Sequence, residues 1–174
     1  MNTLQGRVWA FGNNVSTEYM MPGFTMLGKM SDEEAKRHCM AALRPDFVPG
    51  VKAGDIIVAG ENFGCGSSRT ASRLLLALGV SCVLADSVAG IFYRNSINTG
   101  LPVIEYPGIS ALISDGDLCL VRLSDGIIEN RSNGRTTSFL PFPRHITAIL
   151  EAGGLIPMLK REMASARSRP TPEK

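Results

Sequence analysis

The feature that most constrains the fold is a regular alternation of short apolar runs and helical patterns in the middle of the chain. Three apolar runs have the length of buried strands, and they cover residues 55–59, 80–85 and 101–104. Two helical patterns lie between them: one begins at Ser67 or Ser68 and stops at Gly79, and the other runs from about Ser87 to Gly100. This order predicts a parallel sheet with right-handed crossovers.

Further elements are predicted on both sides of this unit. Ser31 can cap a helix over residues 31–43, because Glu34 stands three positions later and completes a capping box. The other expected elements are a strand at 6–11 followed by a turn and a loop, an antiparallel hairpin from 118–123 and 126–129, and helices at 144–152 and 156–166. The predicted fold class is therefore α/β, with a mixed sheet that joins a parallel β-α-β-α-β portion to an antiparallel hairpin.

Length and composition indicate one packed domain. The chain has 174 residues, of which 44% are hydrophobic and 20% charged, so we expect a single domain over 1–166 and a disordered tail at 167–174. A formal net charge of +2 is too small for a nucleic-acid footprint, and no apolar run approaches the length that spans a membrane. The first residues lack a signal-peptide pattern, which favours a cytoplasmic protein.

The cysteines and histidines give little sign of a metal site. Cys39, Cys65, Cys82 and Cys119 are widely spaced without a CxxC pair, so we expect no metal bound by this chain. All but Cys65 lie in apolar surroundings and are interpreted as small core residues. His38 and His145 have no triad setting and are interpreted as surface or helix-end residues.

The run GENFGCGSSR, residues 60–69, lies between a predicted strand and a predicted helix. Its glycines would let the backbone approach an anion, and Arg69 could bind a carboxylate through two hydrogen bonds. An adjacent pair of serines is also typical of a helix cap, so an anion site and a structural turn both remain open. The run matches neither a P-loop, nor the dinucleotide-binding fingerprint, nor the GxSxG elbow.

At this point a family resemblance becomes specific. Residues 60–69, with IFYRNSINTGLPVI at 91–104, closely resemble the small subunit of 3-isopropylmalate dehydratase and its homoaconitase and dimethylmalate dehydratase relatives. Shorter matches occur at NVSTE, HCM and GGL, which are residues 14–18, 38–40 and 153–155. The resemblance implies the swivelling β/β/α domain of the aconitase type, a role in leucine biosynthesis, and a separate large subunit that carries a [4Fe-4S] cluster.

The same resemblance implies roles for the residues that match the family's Gly-Ser-Ser-Arg motif. Ser67 would be the catalytic base that removes the proton next to a carboxylate, in a dehydration and rehydration that moves a hydroxyl between neighbouring carbons. Ser68 and Arg69 would bind the substrate carboxylate, together with Gly66 and Cys65 of the turn. The substrate is expected to be a small di- or tricarboxylate.

The segment 20–30 occupies the position that faces the variable part of the substrate in these enzymes. Phe24, Met26 and Leu27 make it apolar, which suits an alkyl group, whereas Lys29 could reach an additional carboxylate. The chain departs from the family pattern at Thr70, Ala71 and Gly90, which leaves the choice of substrate open. The alternatives are homoaconitate, 2,3-dimethylmalate or citraconate as substrate, or a non-catalytic carboxylate-binding module. Self-association of the isolated chain also stays open.

Overall fold

The computed structural model describes residues 3–27, 30–67 and 70–167. Its strands form one mixed sheet of seven, in the order β4-β3-β2-β1-β5-β6-β7. The strands are β1 (Thr3–Phe11), β2 (Ile56–Ala59), β3 (Cys82–Ala85), β4 (Val103–Glu105), β5 (Leu118–Arg122), β6 (Ile127–Asn130) and β7 (Arg135–Ser138). Strands β1 to β4 are parallel, and β5 to β7 continue the sheet antiparallel.

Helices lie on both faces of the parallel part of this sheet. The helices are α1 (Thr17–Met20), α2 (Gly23–Leu27), α3 (Asp32–Ala35), α4 (Phe47–Gly50), α5 (Ala71–Ala77), α6 (Gly90–Thr99), α7 (Ile109–Leu112), α8 (Arg144–Glu151) and α9 (Leu155–Arg167). The predicted parallel β-α-β-α-β unit is confirmed as β2-α5-β3-α6-β4, and the predicted hairpin as β5-β6. The third antiparallel strand, β7, was not predicted, because its sequence Arg-Thr-Thr-Ser lacks an apolar alternation.

The long strand β1 joins the two parts of the sheet. Its second half pairs parallel with β2, in a register that places Val8 beside Ile56, and its first half pairs antiparallel with β5. Alternate side chains of β1 to β4 enter two separate cores, one on each face. The larger core holds Trp9 and Ile57, and the other holds Val8 and Ile56. Burial on both faces explains why β2 and β3 read as continuous apolar runs.

Three predicted helices have different bounds in the structure, and one of these, expected from about Ser87, begins at Gly90. The helix expected over 31–43 is interrupted: α3 ends at Ala35, one 3-10 turn follows, and Met40 has φ +60°. The capping box itself is present, since the Glu34 N–H donates to Ser31 Oγ at 3.3 Å and Glu34 Oε2 accepts from the Ser31 N–H at 3.0 Å. The break occurs because Cys39 and Met40 are both buried and the Met40 N–H donates to the Tyr19 carbonyl at 2.7 Å.

The helix expected from Ser67 or Ser68 begins instead at Ala71. Its end was predicted correctly, because the Gly79 and Val80 N–H groups donate to the Leu76 and Leu75 carbonyls at 2.9 and 3.0 Å, the hydrogen bonds of a Schellman motif. Of the predicted tail, Arg167 ends α9 and the rest lies outside the described residues.

Candidate functional site

The candidate site lies at the edge of the sheet where the parallel strands end. Residues 60–67, which we name the serine loop, follow β2 at this edge. Residues 12–17, which we name the asparagine segment, follow the neighbouring strand β1, and residues 86–89 follow β3 on the other side. Ligands of parallel α/β sheets bind outside the carboxyl ends of the strands, so this edge is the expected place for a site.

The asparagine segment holds one side of the serine loop. Main-chain hydrogen bonds run from the Asn14 N–H to the Glu61 carbonyl and from the Gly64 N–H to the Val15 carbonyl, each at 2.8 Å. The side chain of Asn13 accepts from the Glu61 N–H at 2.9 Å. Farther along, Ser16 and Cys65 form an isolated parallel bridge. The loop therefore continues the pairing of β1 with β2 beyond the regular strands.

Residues 86–89 hold the other side of the serine loop. Ser87 accepts two hydrogen bonds from it, through Oγ from the Asn62 N–H at 2.8 Å and through its carbonyl from the Phe63 N–H at 3.0 Å. The fully buried Phe63 ring packs edge-on against Phe92 of α6, with ring centroids 5.3 Å apart. A loop rich in glycine is thus braced on both sides and from below.

Three of the predicted site residues are consecutive at the end of this braced loop. Cys65 is half-buried, whereas Gly66 and Ser67 are exposed. Gly66 has φ +101°, and a side chain there would start 2.8 Å from Ser16 Oγ. The Ser67 carbonyl accepts a hydrogen bond from Thr17 Oγ1 at 3.0 Å. The predicted carboxylate ligands Ser68 and Arg69 lie outside the described residues.

The start of α5 changes the electrostatic argument for an anion site. The sequence predicts the serines at the first turn of a helix, but α5 begins at Ala71 and is seven residues long. Thr70, the residue before it, makes no side-chain cap. The positive end of α5 therefore lies after Thr70 rather than at Ser67 or Ser68, and its field acts mainly over the first turn of the helix.

The segment expected to face the substrate, residues 20–30, is partly helical rather than an open loop. Helix α2 carries Phe24, Met26 and Leu27. The Phe24 side chain is 54% exposed, and its ring packs edge-on against the exposed His38 ring with centroids 5.0 Å apart. The Met26 and Leu27 side chains and all of Lys29 lie outside the described residues.

Two contributors to the site were not singled out from the sequence. Thr17 contacts Ser67, and Asn13 holds the serine loop. The run Gly12-Asn13-Asn14 predicts a turn after the first strand, but it does not predict a contact with the serine loop. Thr17 stood within a short family match, and nothing in its local pattern indicates a contact 50 residues away.

The described residues offer no obvious metal centre. Across 3–27, 30–67 and 70–167, no three histidine, cysteine, aspartate or glutamate side chains converge on one point. Burial raises the pKa of the Cys39 thiol to about 12, and burial together with nearby acidic groups raises that of Cys119 to about 12. The pKa of the Cys82 thiol is also raised, chiefly by burial. Thiols that stay protonated are poor metal ligands.

Among the residues that the structure describes, no helix combines the length and the apolar character that crossing a bilayer requires.

Known proteins resemble this chain over nearly its whole length. A family model, the aconitase C-terminal domain, matches residues 33–108. The isopropylmalate/citramalate isomerase small subunit of Methanocaldococcus jannaschii is 48% identical over 165 residues, which are 94% of this chain and 98% of that protein. The 3-isopropylmalate dehydratase small subunit of Halothermothrix orenii is 46% identical over 158 residues, which are 90% and 95% of the two chains.

A solved structure supports the same relationship. The crystal structure of a 3-isopropylmalate dehydratase from Methanocaldococcus jannaschii superposes with a TM-score of 0.87 at 38% sequence identity. The superposition covers 96% of this chain and 99% of that one. The mixed sheet with its parallel and antiparallel parts is therefore an architecture already observed in that crystal structure.

Proposed function

This chain belongs to the family of 3-isopropylmalate dehydratase small subunits, and we propose that it works with a large subunit as a hydro-lyase that isomerises a 2-alkylmalate. The observation that carries the proposal is 48% identity to a named small subunit across 98% of that protein's length. A role in leucine biosynthesis follows from the family, and would place the complex in the cytoplasm.

The proposed reaction moves a hydroxyl group between neighbouring carbons. A base removes the proton from the carbon next to a carboxylate, the C–H electron pair forms a double bond, and the hydroxyl leaves from the adjacent carbon. Addition of water in the opposite sense then gives the isomer. We assign the base to Ser67, which matches the family motif and is exposed at the end of the braced serine loop.

A serine hydroxyl is a weak base, so its alkoxide needs stabilisation. We propose that main-chain N–H groups of the turn that includes Cys65 and Gly66, with the Arg69 guanidinium, supply it. Arg69 and Ser68 would also bind the substrate carboxylate, for which a guanidinium is the better partner because it can donate two parallel hydrogen bonds.

The leaving hydroxyl calls for a Lewis acid, which we assign to a [4Fe-4S] cluster on the large subunit. The residues of this chain described by the structure do not suit such a cluster. Three of their cysteines are buried in the two cores, and no set of ligands converges. The tasks of this chain would then be to bind the carboxylate, to orient the substrate and to move the proton.

Residues 20–30, which we name the substrate segment, favour an alkyl group over an additional carboxylate. Phe24 presents an exposed ring on α2, whose sequence also includes Met26 and Leu27, and Lys29 follows in the sequence. We propose that these residues contact the substituent that distinguishes one malate from another. The name of the relative from Methanocaldococcus jannaschii includes citramalate as well as isopropylmalate, so a second candidate is an enzyme that accepts both substituents.

The decisive test is hydro-lyase activity of the chain after anaerobic reconstitution with its iron–sulfur large subunit. The substrates are 2-isopropylmalate, citramalate, 2,3-dimethylmalate and homocitrate. Ser67→Ala should reduce turnover by roughly 10²- to 10⁴-fold, the range expected for loss of a catalytic base. The matched control is Ser132→Ala, which removes an exposed serine hydroxyl after β6 in the antiparallel part of the sheet.

Each outcome has a clear meaning. Activity on one alkylmalate that is lost in Ser67→Ala and kept in Ser132→Ala would support both the reaction and the base. Equal activity of the two variants would reject Ser67 as the base. An assembled complex with an intact cluster and no activity on any of the four substrates would favour the carboxylate-binding module instead.

A further inference from the structure

We infer that Thr17 is a positioning residue for Ser67, and this inference rests on the proposed role of Ser67 as the base. As a positioning residue, Thr17 does not touch the substrate or the reacting atoms. It acts by fixing the peptide group that carries Ser67. The geometry that points to it is a pair of hydrogen bonds from Thr17 to two residues of the serine loop.

The first of these bonds is part of the bridge between the two segments. The Thr17 N–H donates to the Cys65 carbonyl at 2.8 Å. The second comes from the side chain, since Thr17 Oγ1 donates to the Ser67 carbonyl at 3.0 Å. One residue therefore holds the chain on both sides of Gly66, and it does so at the point where the regular pairing between the segments stops.

Burial makes the Thr17 hydroxyl a fixed donor. The residue is only 1% exposed, whereas Ser67 is exposed. A buried hydroxyl without an acceptor pays the full free-energy cost of having left water. The hydrogen bond to the Ser67 carbonyl avoids this cost and is therefore retained. The rigid partner of this bond is thus the interior residue, and the residue that it fixes lies at the surface where substrate arrives.

Gly66 explains why such a fixed donor is needed. Its φ of +101° gives the chain a sharp turn directly before Ser67, and a glycine restricts its own backbone least of all residues. A side chain at this position would meet Ser16 Oγ and Thr17 Oγ1, at 2.8 and 3.2 Å. The loop must therefore be held from outside, and Thr17 supplies that restraint next to the serine.

Thr17 also connects the base to the substrate segment. It is the first residue of α1, and α1 leads within a few residues to α2, which carries Phe24. An alkyl substituent of the substrate that displaces residues 20–30 would act on Ser67 through the hydrogen bond from Thr17 Oγ1 to the Ser67 carbonyl. We therefore expect discrimination between alkyl groups to appear in kcat more than in KM, because a displaced base weakens the transition state more than the ground state.

The test compares three variants in the reconstituted complex with its large subunit. Thr17→Val keeps the shape of the side chain but cannot donate, and Thr17→Ser restores the donor. The matched control is Ser81→Ala at the opposite edge of the sheet, because Ser81 Oγ also donates to a main-chain carbonyl, that of Gly54, at 2.7 Å. The readouts are kcat, KM, melting temperature and complex formation.

Thr17→Val should lower kcat by about 10- to 100-fold with a nearly unchanged KM, the size expected when a catalytic group is displaced by an ångström or less. Thr17→Ser should recover most of this loss. Ser81→Ala should lower the melting temperature by a similar amount to Thr17→Val and leave kcat unchanged. A Thr17→Val enzyme with the kcat of the Ser81→Ala control would overturn the inference.

A double variant separates this inference from the proposed function. If Thr17 acts through Ser67, Thr17→Val should cause no additional loss in a Ser67→Ala background, because the group that it positions is already absent. If the kcat of the double variant is reduced by the product of the two single reductions, the inference is contradicted, even if Thr17→Val alone is slow. Normal activity of Ser67→Ala would instead reject the base, and with it the proposed mechanism.

Discussion

Gly64 shows how closely single residues of the serine loop fit their surroundings. It has φ +78°, a conformation that other residues rarely adopt, and it lies over the first atoms of the Phe92 side chain. A methyl group at this position would begin 2.2 Å from Phe92 Cγ. The loop reaches its position above α6 only because no side chain separates the two.

This arrangement predicts that Gly64→Ala destabilises the fold by about 2–4 kcal/mol, from left-handed strain and overpacking together. The control is Gly134→Ala, in the turn between β6 and β7. Its φ is +75°, and no atom lies within 4 Å of the added methyl group. That variant should lose only the stability that corresponds to the strained backbone, about 1 kcal/mol. Urea unfolding of both proteins measures the difference in the free energy of unfolding. Equal losses of stability would show that the Phe92 side chain moves aside without a free-energy cost.

At the scale of elements, the final two helices are attached to α6 through a close backbone contact. The turn between α8 and α9 contains Gly153 and Gly154, and it packs against the end of α6. A Cβ atom on Gly154 would lie 2.7 Å from the Asn98 carbonyl oxygen, whereas one on Gly153 would meet nothing within 4 Å. Only one of these two neighbours is therefore required to be glycine by packing.

We expect Gly154→Ala to destabilise the protein by about 2–4 kcal/mol, because the α8–α9 turn must move away from α6. Gly153→Ala shares the positive φ and should cost about 1 kcal/mol. Hydrogen exchange is a suitable measurement, since it reports α6, α8 and α9 separately. Faster exchange in the ends of all three helices is expected for Gly154→Ala alone. Identical exchange in both variants would contradict the proposed contact.

At the scale of the whole molecule, Arg44 connects segments that are far apart in the sequence. Its guanidinium forms ion pairs with Asp46, at 2.7 Å, and with Asp115, and it lies 4.8 Å from the centre of the Trp9 ring. Asp115 also accepts from the Ala10 N–H at 2.8 Å. These contacts join the end of β1 to the loops before α4 and before β5.

The two carboxylates make this connection sensitive to acid. The hydrogen bond from Arg44 is the main reason that the pKa of Asp46 lies below its usual value. Burial alone would raise the pKa of Asp115, but hydrogen bonds from Arg44 and the Ala10 N–H, with nearby positive charge, leave it lowered. A carboxylate with a lowered pKa in the folded state stabilises the fold above its ordinary pKa of about 3.9, and this stability is lost as the pH falls through the lowered value.

Arg44→Met should therefore be less stable than the wild type at pH 7 and should lose less additional stability between about pH 5 and pH 2. The measurement is the melting temperature as a function of pH. Lys36→Met is the control, because it removes a cation whose partner, Glu33, has a 74% exposed side chain, and it should leave the acid dependence unchanged. Parallel pH curves for the wild type and Arg44→Met would rule out this coupling.

The sequence by itself determined the parts of this protein that depend on local pattern. The β-α-β-α-β order was readable because strands and helices differ in the spacing of their apolar residues, and the long motifs around Ser67 identified the family. The capping box at Ser31 and the end of α5 were also predictable, because caps involve residues only a few positions apart.

Only the tertiary structure decided what depends on contacts between distant residues. The predicted helix over 31–43 breaks because burying Met40 and bonding it to Tyr19 outweighs its local preference. The added strand β7, which pairs with β6, and the contact of Thr17 with Ser67 likewise depend on neighbours that the local pattern does not show. Local spacing records which residues prefer a helix or a strand, but the position of the Ser67 main chain is fixed by neighbours that the chain brings back only when it folds.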